Sequence, residues 1–216
     1  SLFNDDQIKL FFLLLISLIL IITFWIKNKY ISISIEDSFR MALFNITSIM
    51  TGTGFTSSNY NLWGGLGLII MIIIMFIGGC AGSTTGGIKI FRLQLLFRGS
   101  HTQIKKLTQP HAVFLTSFNG KAVNDETFNS IMGFFFMYIL ILILSSISLG
   151  FFNLDFMTSF SAAASAISNV GPGLGPVVGP LSNYNSFPDG AKWILSFTML
   201  IGRLELFTFL VILSVS

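Results

Sequence analysis

Apolar residues gather in four long runs along the chain, roughly 8–26, 66–77 with its continuation, 128–151 and 191–215. They read as membrane-crossing helices, each of which needs about 20 residues. Two further runs, 38–50 and 156–167, are helical in pattern but short. At about 1.5 Å per residue, a dozen residues reach about 18 Å, half a membrane. Each short run ends in a polar, glycine-bearing loop, and another spanning run follows. The order span, half-span, glycine loop, span therefore occurs twice. Setting Gly54 against Gly171 also sets Phe39 against Phe156 and Ser48 against Ser165. The repeat rests on the order of elements more than on identity, and internal repeats are common in transport proteins.

Composition agrees with this reading. The chain has 216 residues, of which 53% are hydrophobic and 10% charged, and its mean hydropathy is +0.81. A soluble domain carries about 25% charged residues, so an all-α integral membrane protein is expected. The single cysteine, Cys80, has no internal disulfide partner, and His101 and His111 stand apart, so no metal cluster is expected. The segment 10–26 is long for a signal core, is followed by Lys27 and Lys29, and lacks a small-residue cleavage pattern. With no initiator Met, the chain is expected to be part of a longer protein or one processed at its start.

The net charge of +3 reads as topology rather than nucleic-acid binding. Residues 89–125 hold Lys89, Arg92, Arg98, Lys105, Lys106 and Lys121, whereas the opposite side holds Lys27, Lys29 and Arg40 in one region and Lys192 in the other. The positive-inside rule makes 89–125 cytoplasmic and brings both glycine loops in from outside, with Lys27 and Lys29 against the trend. The basic stretch is either a docking surface for a regulatory partner or anionic lipid, or a solvated topology determinant. Asn45-Ile46-Thr47 is formally a glycosylation sequon, but inside a half-helix it is read as chance.

Irregular backbone at membrane depth is tolerated only where it is buried in protein or lines a wet cavity. Thr51-Gly52-Thr53-Gly54-Phe55 meets that condition if its carbonyls line a pore and replace the water shell of a cation. Glycine permits the φ values that turn successive carbonyls to one side, and the preceding half-helix would add the negative end of its dipole. Ser168-Asn169-Val170-Gly171-Pro172 supplies a related surface. The competing reading is a plain turn after a buried helix.

"GGCAGSTTGG", 78–87, puts five glycines inside the second span, each costing about 1 kcal/mol against alanine in a helix. The span is expected to break there, either as a mobile gate or as a tight helix-packing patch. A Walker A reading fails because Ile88 stands where the lysine is required. Arg203 and Glu205, in "IGRLELF", put charge near the middle of the last span, a functional-site hypothesis by default. Arg203 faces the conduction path as a barrier, or pairs with Glu205.

"TGTGFTS", "GGCAGSTTGGIKIFR", "NGKAVNDE", "SNVGPGLGP" and "GRLELFT" together resemble the membrane subunit of the Trk/Ktr/HKT potassium-transport family, of the TrkH type. The resemblance implies tandem span–pore helix–span repeats, as in potassium channels, with re-entrant filter loops around one pore. This chain matches the third repeat (1–97), a cytoplasmic linker (98–125) and the fourth repeat (126–216), with the first two supplied by the N-terminal half of the same protein. The resemblance implies that the carbonyls of Gly52, Thr53, Gly54 and Phe55, and of Asn169, Val170, Gly171 and Pro172, ligate potassium. It implies that the loop of Gly78, Gly79, Cys80, Ala81, Gly82, Ser83, Thr84, Thr85, Gly86 and Gly87 closes the pore, with Arg203 facing it. It further implies a homodimer in the cell membrane, a cytoplasmic nucleotide-binding ring of the TrkA type, no covalent cofactor and no enzymatic activity. Phe55 and Pro172 replace the tyrosine of a standard channel filter, which leaves selectivity against sodium open. The rival reading is a sodium-permeable or ion-coupled secondary transporter with Arg203 and Glu205 as its charge site. A third is a scaffold whose glycine loops only pack helices.

Overall fold

The computed structural model describes residues 5–109, 117–118 and 121–204. It is mostly helical. The helices are α1 (Asp6–Lys29), α2 (Ile35–Met50), α3 (Gly64–Phe76), α4 (Ile90–Thr108), α5 (Asp125–Gly150), α6 (Phe156–Ser168) and α7 (Asp189–Arg203). A two-residue antiparallel ladder, β1 (Ser117–Phe118) with β2 (Lys121–Ala122), lies between α4 and α5.

Capping explains where the helices begin. The Asp5 carboxylate accepts from the Gln7 N–H at 2.9 Å, and the Ser34 hydroxyl accepts from the Asp37 N–H at 3.0 Å. Asp155 accepts from the Thr158 N–H at 3.1 Å. Each satisfies an amide that the first helical turn leaves without a partner. The Ser34 cap, with Glu36 and Asp37 in the first turn, starts α2 three residues before the apolar run.

Helices α1 and α5 are long and apolar enough to cross a membrane. Only 17% of the most apolar window of α1 and 28% of that of α5 are buried within the chain. Phe12, Leu13, Leu20 and Phe24 on α1, and Phe136, Ile139 and Ile143 on α5, are exposed. Helix α6 behaves oppositely: it buries ten of its thirteen residues, nearly all of them Ala, Ser or Thr. Small side chains let helix backbones approach closely, and α6 lies packed between α5 and α7. Burial within the chain therefore rises from the long apolar helices to the short α6.

Two apolar cores follow the two halves. Ile22, Ile26, Ile46, Ile49, Met71 and Ile74 centre the first, and Tyr138, Leu149, Ala163, Ile167 and Leu195 the second. Each borrows from the other half: Val170 and Leu174 join the first core, Ile88 the second.

The second apolar run is broken, as its glycines lead one to expect. Helix α3 stops at Phe76 and α4 starts at Ile90. Between them the chain makes a looped excursion closed at its neck by a parallel bridge between Ile77 and Ile88. There the Gly78 N–H donates to the Ile88 carbonyl at 2.9 Å, and the Ile88 N–H to the Phe76 carbonyl at 2.8 Å. The helix that follows runs to Thr108 without interruption, so the expected boundary between residues 97 and 98 falls inside α4 rather than at its end.

Candidate functional site

The two glycine loops leave their half-helices in the same way. The Ser48 carbonyl, near the end of α2, accepts from the Thr53 N–H at 2.8 Å and the Gly54 N–H at 3.3 Å. The Ser165 carbonyl, near the end of α6, accepts from the Val170 N–H at 3.0 Å, and the Ser165 hydroxyl accepts from the Gly171 N–H at 3.0 Å. The loop amides therefore fold back onto the last carbonyls of the helix, satisfying groups that a helix end leaves open. Serine and glycine pairs that align in the sequence are thus also equivalent in space.

Amides turned toward the helix leave the loop carbonyls facing away from it. Among the described residues, the carbonyls of Gly52, Thr53, Gly54, Phe55, Asn169, Val170 and Pro172 accept no hydrogen bond. The exception is Gly171, whose carbonyl accepts from the Tyr184 hydroxyl at 2.8 Å. Val170 is buried while Thr53, Phe55 and Gly171 are exposed, so apart from Gly171 the carbonyls of the two adjoining rows are left to water or to a ligand. Gly54 and Gly171 have φ of +79° and +110°, a region L side chains rarely adopt. The rows lie side by side: a β-carbon at Gly54 would overlap the Val170 carbonyl oxygen. Both half-helices end here, so their dipoles place partial negative charge at the same point.

The 78–87 loop sits against this pair. A β-carbon at Gly86 would overlap the Ser168 carbonyl, and one at Gly52 would lie 3.9 Å from both the Asn169 carbonyl oxygen and the Thr85 Cγ2. Internally the loop is tied by Thr85, whose hydroxyl accepts from the Gly79 N–H at 2.8 Å and lies 2.7 Å from the Ser83 hydroxyl. Externally it is held at two points. The buried Gln7 side chain accepts from the Ala81 N–H at 2.9 Å, and the Arg203 guanidinium donates to the Thr84 carbonyl. The start of α1 is itself fixed to α4: Gln94 donates to the Asp6 carbonyl at 2.8 Å, and Arg98 pairs with the Asp6 carboxylate at 2.8 Å. A cavity of about 210 Å³, lined by loop residues 83–87 with Lys89, Arg92, Tyr138 and Arg203, opens beside the loop.

Arg203 thus reaches the loop. Glu205, its expected partner in the rival reading, lies outside the described residues. Cys80 is half-buried in the loop.

Several residues that frame the loops escaped the sequence reading. Asn45, in the formal sequon, is buried and donates to the Ser57 and Ser58 hydroxyls at 2.9 and 3.0 Å, while its oxygen accepts from the Ser57 N–H at 3.1 Å. It ties the half-helix to the irregular segment leaving the first glycine loop. Asn61 grips Gly175 from the other repeat, donating to its carbonyl at 2.9 Å and accepting from its N–H at 3.1 Å. Thr56 donates to the Pro180 carbonyl at 2.8 Å. Polar residues flanking a glycine loop were the only signal; Asn45 finds its partners across the loop, and Asn61 and Thr56 find theirs more than a hundred residues away.

Two half-helices whose glycine loops meet beside a third glycine loop, flanked by two helices long and apolar enough to cross a membrane, are the features of the fold that bear on its class. The chain belongs to the TrkH family, whose description is "Cation transport protein" and whose profile matches residues 2–216. It is 37% identical over 214 residues to the Trk system potassium uptake protein TrkI of Halomonas elongata, covering 99% of this chain and 43% of that protein. It is 34% identical over 211 residues to the Trk system potassium uptake protein TrkH of Escherichia coli K12, covering 97% and 43%. The crystal structure of the potassium transporter TrkH from Vibrio parahaemolyticus superposes with a TM-score of 0.90 at 34% identity, over 98% of this chain and 44% of that one. The chain therefore spans less than half the length of the relatives it matches.

Proposed function

We propose that this chain is half of a potassium-uptake pore: two span–pore helix–span repeats whose glycine loops form two sides of a four-sided filter. The observation that carries the proposal is the pair of adjoining carbonyl rows, 52–55 and 169–172, which apart from Gly171 accept no hydrogen bond among the described residues, at the ends of the two short helices α2 and α6. A dehydrating cation needs closely spaced oxygens in place of its water shell, and these rows supply them without any charged side chain. The matched relatives are named as potassium uptake proteins and a potassium transporter, which supports potassium as the transported ion. Two further repeats, from the N-terminal half of the same protein, would close the ring.

In this reading the 78–87 loop is the gate, and Arg203 is part of it. The loop touches the ends of both carbonyl rows, so an ion leaving the filter must pass it. Its hold on Gln7 and on Arg203 keeps it there, and releasing either hold opens the path. Residues 1–97 and 126–216 are the third and fourth repeats, joined by the cytoplasmic stretch 98–125, with the filter loops facing outside. We further propose, on the family resemblance, a homodimer controlled by a cytoplasmic nucleotide-binding ring of the TrkA type. The protein is a transporter, not an enzyme.

The test is growth at limiting potassium. Cells stripped of their own potassium uptake and given the full-length gene product should grow, and removal of 82–86 should raise passive potassium flux. Failure of rescue by a membrane-inserted, stable protein would overturn the proposal.

A further inference from the structure

We propose that Tyr184 is a specificity-determining residue of this filter, acting by fixing the direction of the Gly171 carbonyl. The inference rests on the filter reading and deepens it.

Of the residues in the two carbonyl rows, Gly171 alone has both ends of its peptide claimed by side chains. Its N–H donates to the Ser165 hydroxyl at 3.0 Å, and Ser165 is fully buried. Its carbonyl accepts from the Tyr184 hydroxyl at 2.8 Å. At the equivalent glycine of the other repeat, the Gly54 N–H donates to the Ser48 backbone carbonyl at 3.3 Å, and the Gly54 carbonyl accepts nothing among the described residues. The two sides of the filter therefore differ: one carbonyl is free to turn, the other is held.

Tyr184 is itself well placed to hold it. It opens a short 3-10 turn, Tyr184–Ser186, started by the Asn183 side chain, which accepts from the Asn185 N–H at 3.0 Å. Its ring meets the buried Phe187 ring edge-on at 5.4 Å, and the Phe187 N–H donates back to the Tyr184 carbonyl at 3.2 Å. The ring is thus positioned without help from the hydroxyl.

A carbonyl has two lone pairs. With one given to Tyr184, the Gly171 oxygen presents the other to an ion from a fixed direction. At φ +110° a glycine peptide has wide freedom to rotate, and the hydroxyl removes that freedom. A fixed oxygen cannot close in around a smaller ion, so the tether favours the larger one.

The experiment is Tyr184→Phe in the full-length protein, which keeps the ring and its Phe187 contact and removes the hydroxyl, with its bond to the Gly171 carbonyl and its contact with the Ser165 side chain. Uptake of rubidium, as a potassium tracer, is measured in competition with potassium and with sodium, and the thermal melt of the purified protein is recorded. The discrimination between potassium and sodium is expected to fall about fivefold, the effect of losing one hydrogen bond, with the melting temperature unchanged. An unchanged or increased discrimination overturns the inference, and a loss that merely follows a lowered melting temperature overturns it too. Gly54→Ala in the same assay separates the two levels. If it lowers discrimination while Tyr184→Phe does not, the filter stands and the role of Tyr184 falls; if neither does, the filter reading fails as well.

Discussion

Gly54→Ala places a methyl group where the two repeats meet, and the consequences can be worked from the geometry. At φ +79° an L residue costs about 1–2 kcal/mol in the left-handed region. The added β-carbon overlaps the Val170 carbonyl oxygen and lies 3.4 Å from the Pro172 Cδ. Restoring an ordinary contact of about 3.5 Å moves a backbone atom, not the end of a flexible side chain. Val170 is buried in the first core, so its peptide has little room to yield. The displaced oxygen belongs to the opposite carbonyl row, so a change in one repeat distorts the other. Gly171→Ala provides the contrast. Its φ of +110° carries a comparable backbone cost of about 1–3 kcal/mol, but nothing in the described chain lies within 4 Å of its β-carbon. Gly54→Ala should therefore lose more stability than Gly171→Ala in a thermal melt. In rubidium uptake competed by sodium, Gly54→Ala should lower potassium preference about tenfold, the equivalent of about 1.4 kcal/mol, and more than Gly171→Ala does. Equal effects of the two, or no effect of Gly54→Ala on selectivity in a folded protein, would refute the reasoning that the rows act as one site.

Three further outcomes are expected. Gln7→Ala removes the acceptor of the Ala81 N–H and should raise passive potassium flux about fivefold by loosening the loop; unchanged flux in liposomes would detach Gln7 from gating. Asn61→Ala deletes the two-point grip on Gly175 and should lower stability by about 1–3 kcal/mol, read as a lower melting temperature, with Asn61→Asp only partly restoring it because a carboxylate cannot donate to the Gly175 carbonyl. Burial raises the Tyr184 hydroxyl from 10.0 to about 12. The protonated form is thus favoured by folding, and its contribution is complete below about pH 10 and lost as pH rises through the folded value. Ion preference should stay flat between about pH 6 and 9, and a break in that range would remove the neutral tyrosine from the account.

The sequence made the outline legible because lipid imposes a simple code. Runs such as 8–26 and 128–151 had to be helices, since a bilayer offers the backbone no other partner, and they are α1 and α5. The short runs 38–50 and 156–167 were visible by length, and the glycine run 78–87 by its cost to a helix. Boundaries were less legible. Helix α4 passes through residue 98, where the family resemblance starts the linker, because "FRLQLLFRGSHTQIKKL" keeps good helix formers beyond the apolar stretch. The loop glycines were visible; their neighbours were not. Asn45 looked like a chance sequon, and Asn61 and Tyr184 belong to no motif read from the sequence. Their roles come from partners in the other repeat or beyond a turn, at distances along the chain that no local pattern encodes.

The central claim is that the carbonyl rows 52–55 and 169–172 are one cation site. Thallium ion, a potassium mimic that scatters strongly, can be located by anomalous diffraction from crystals of the full-length protein. The account predicts anomalous density within coordination distance of the Thr53, Gly54, Val170 and Gly171 carbonyl oxygens. Density absent there but present beside Arg203 and the end of α7 would contradict it.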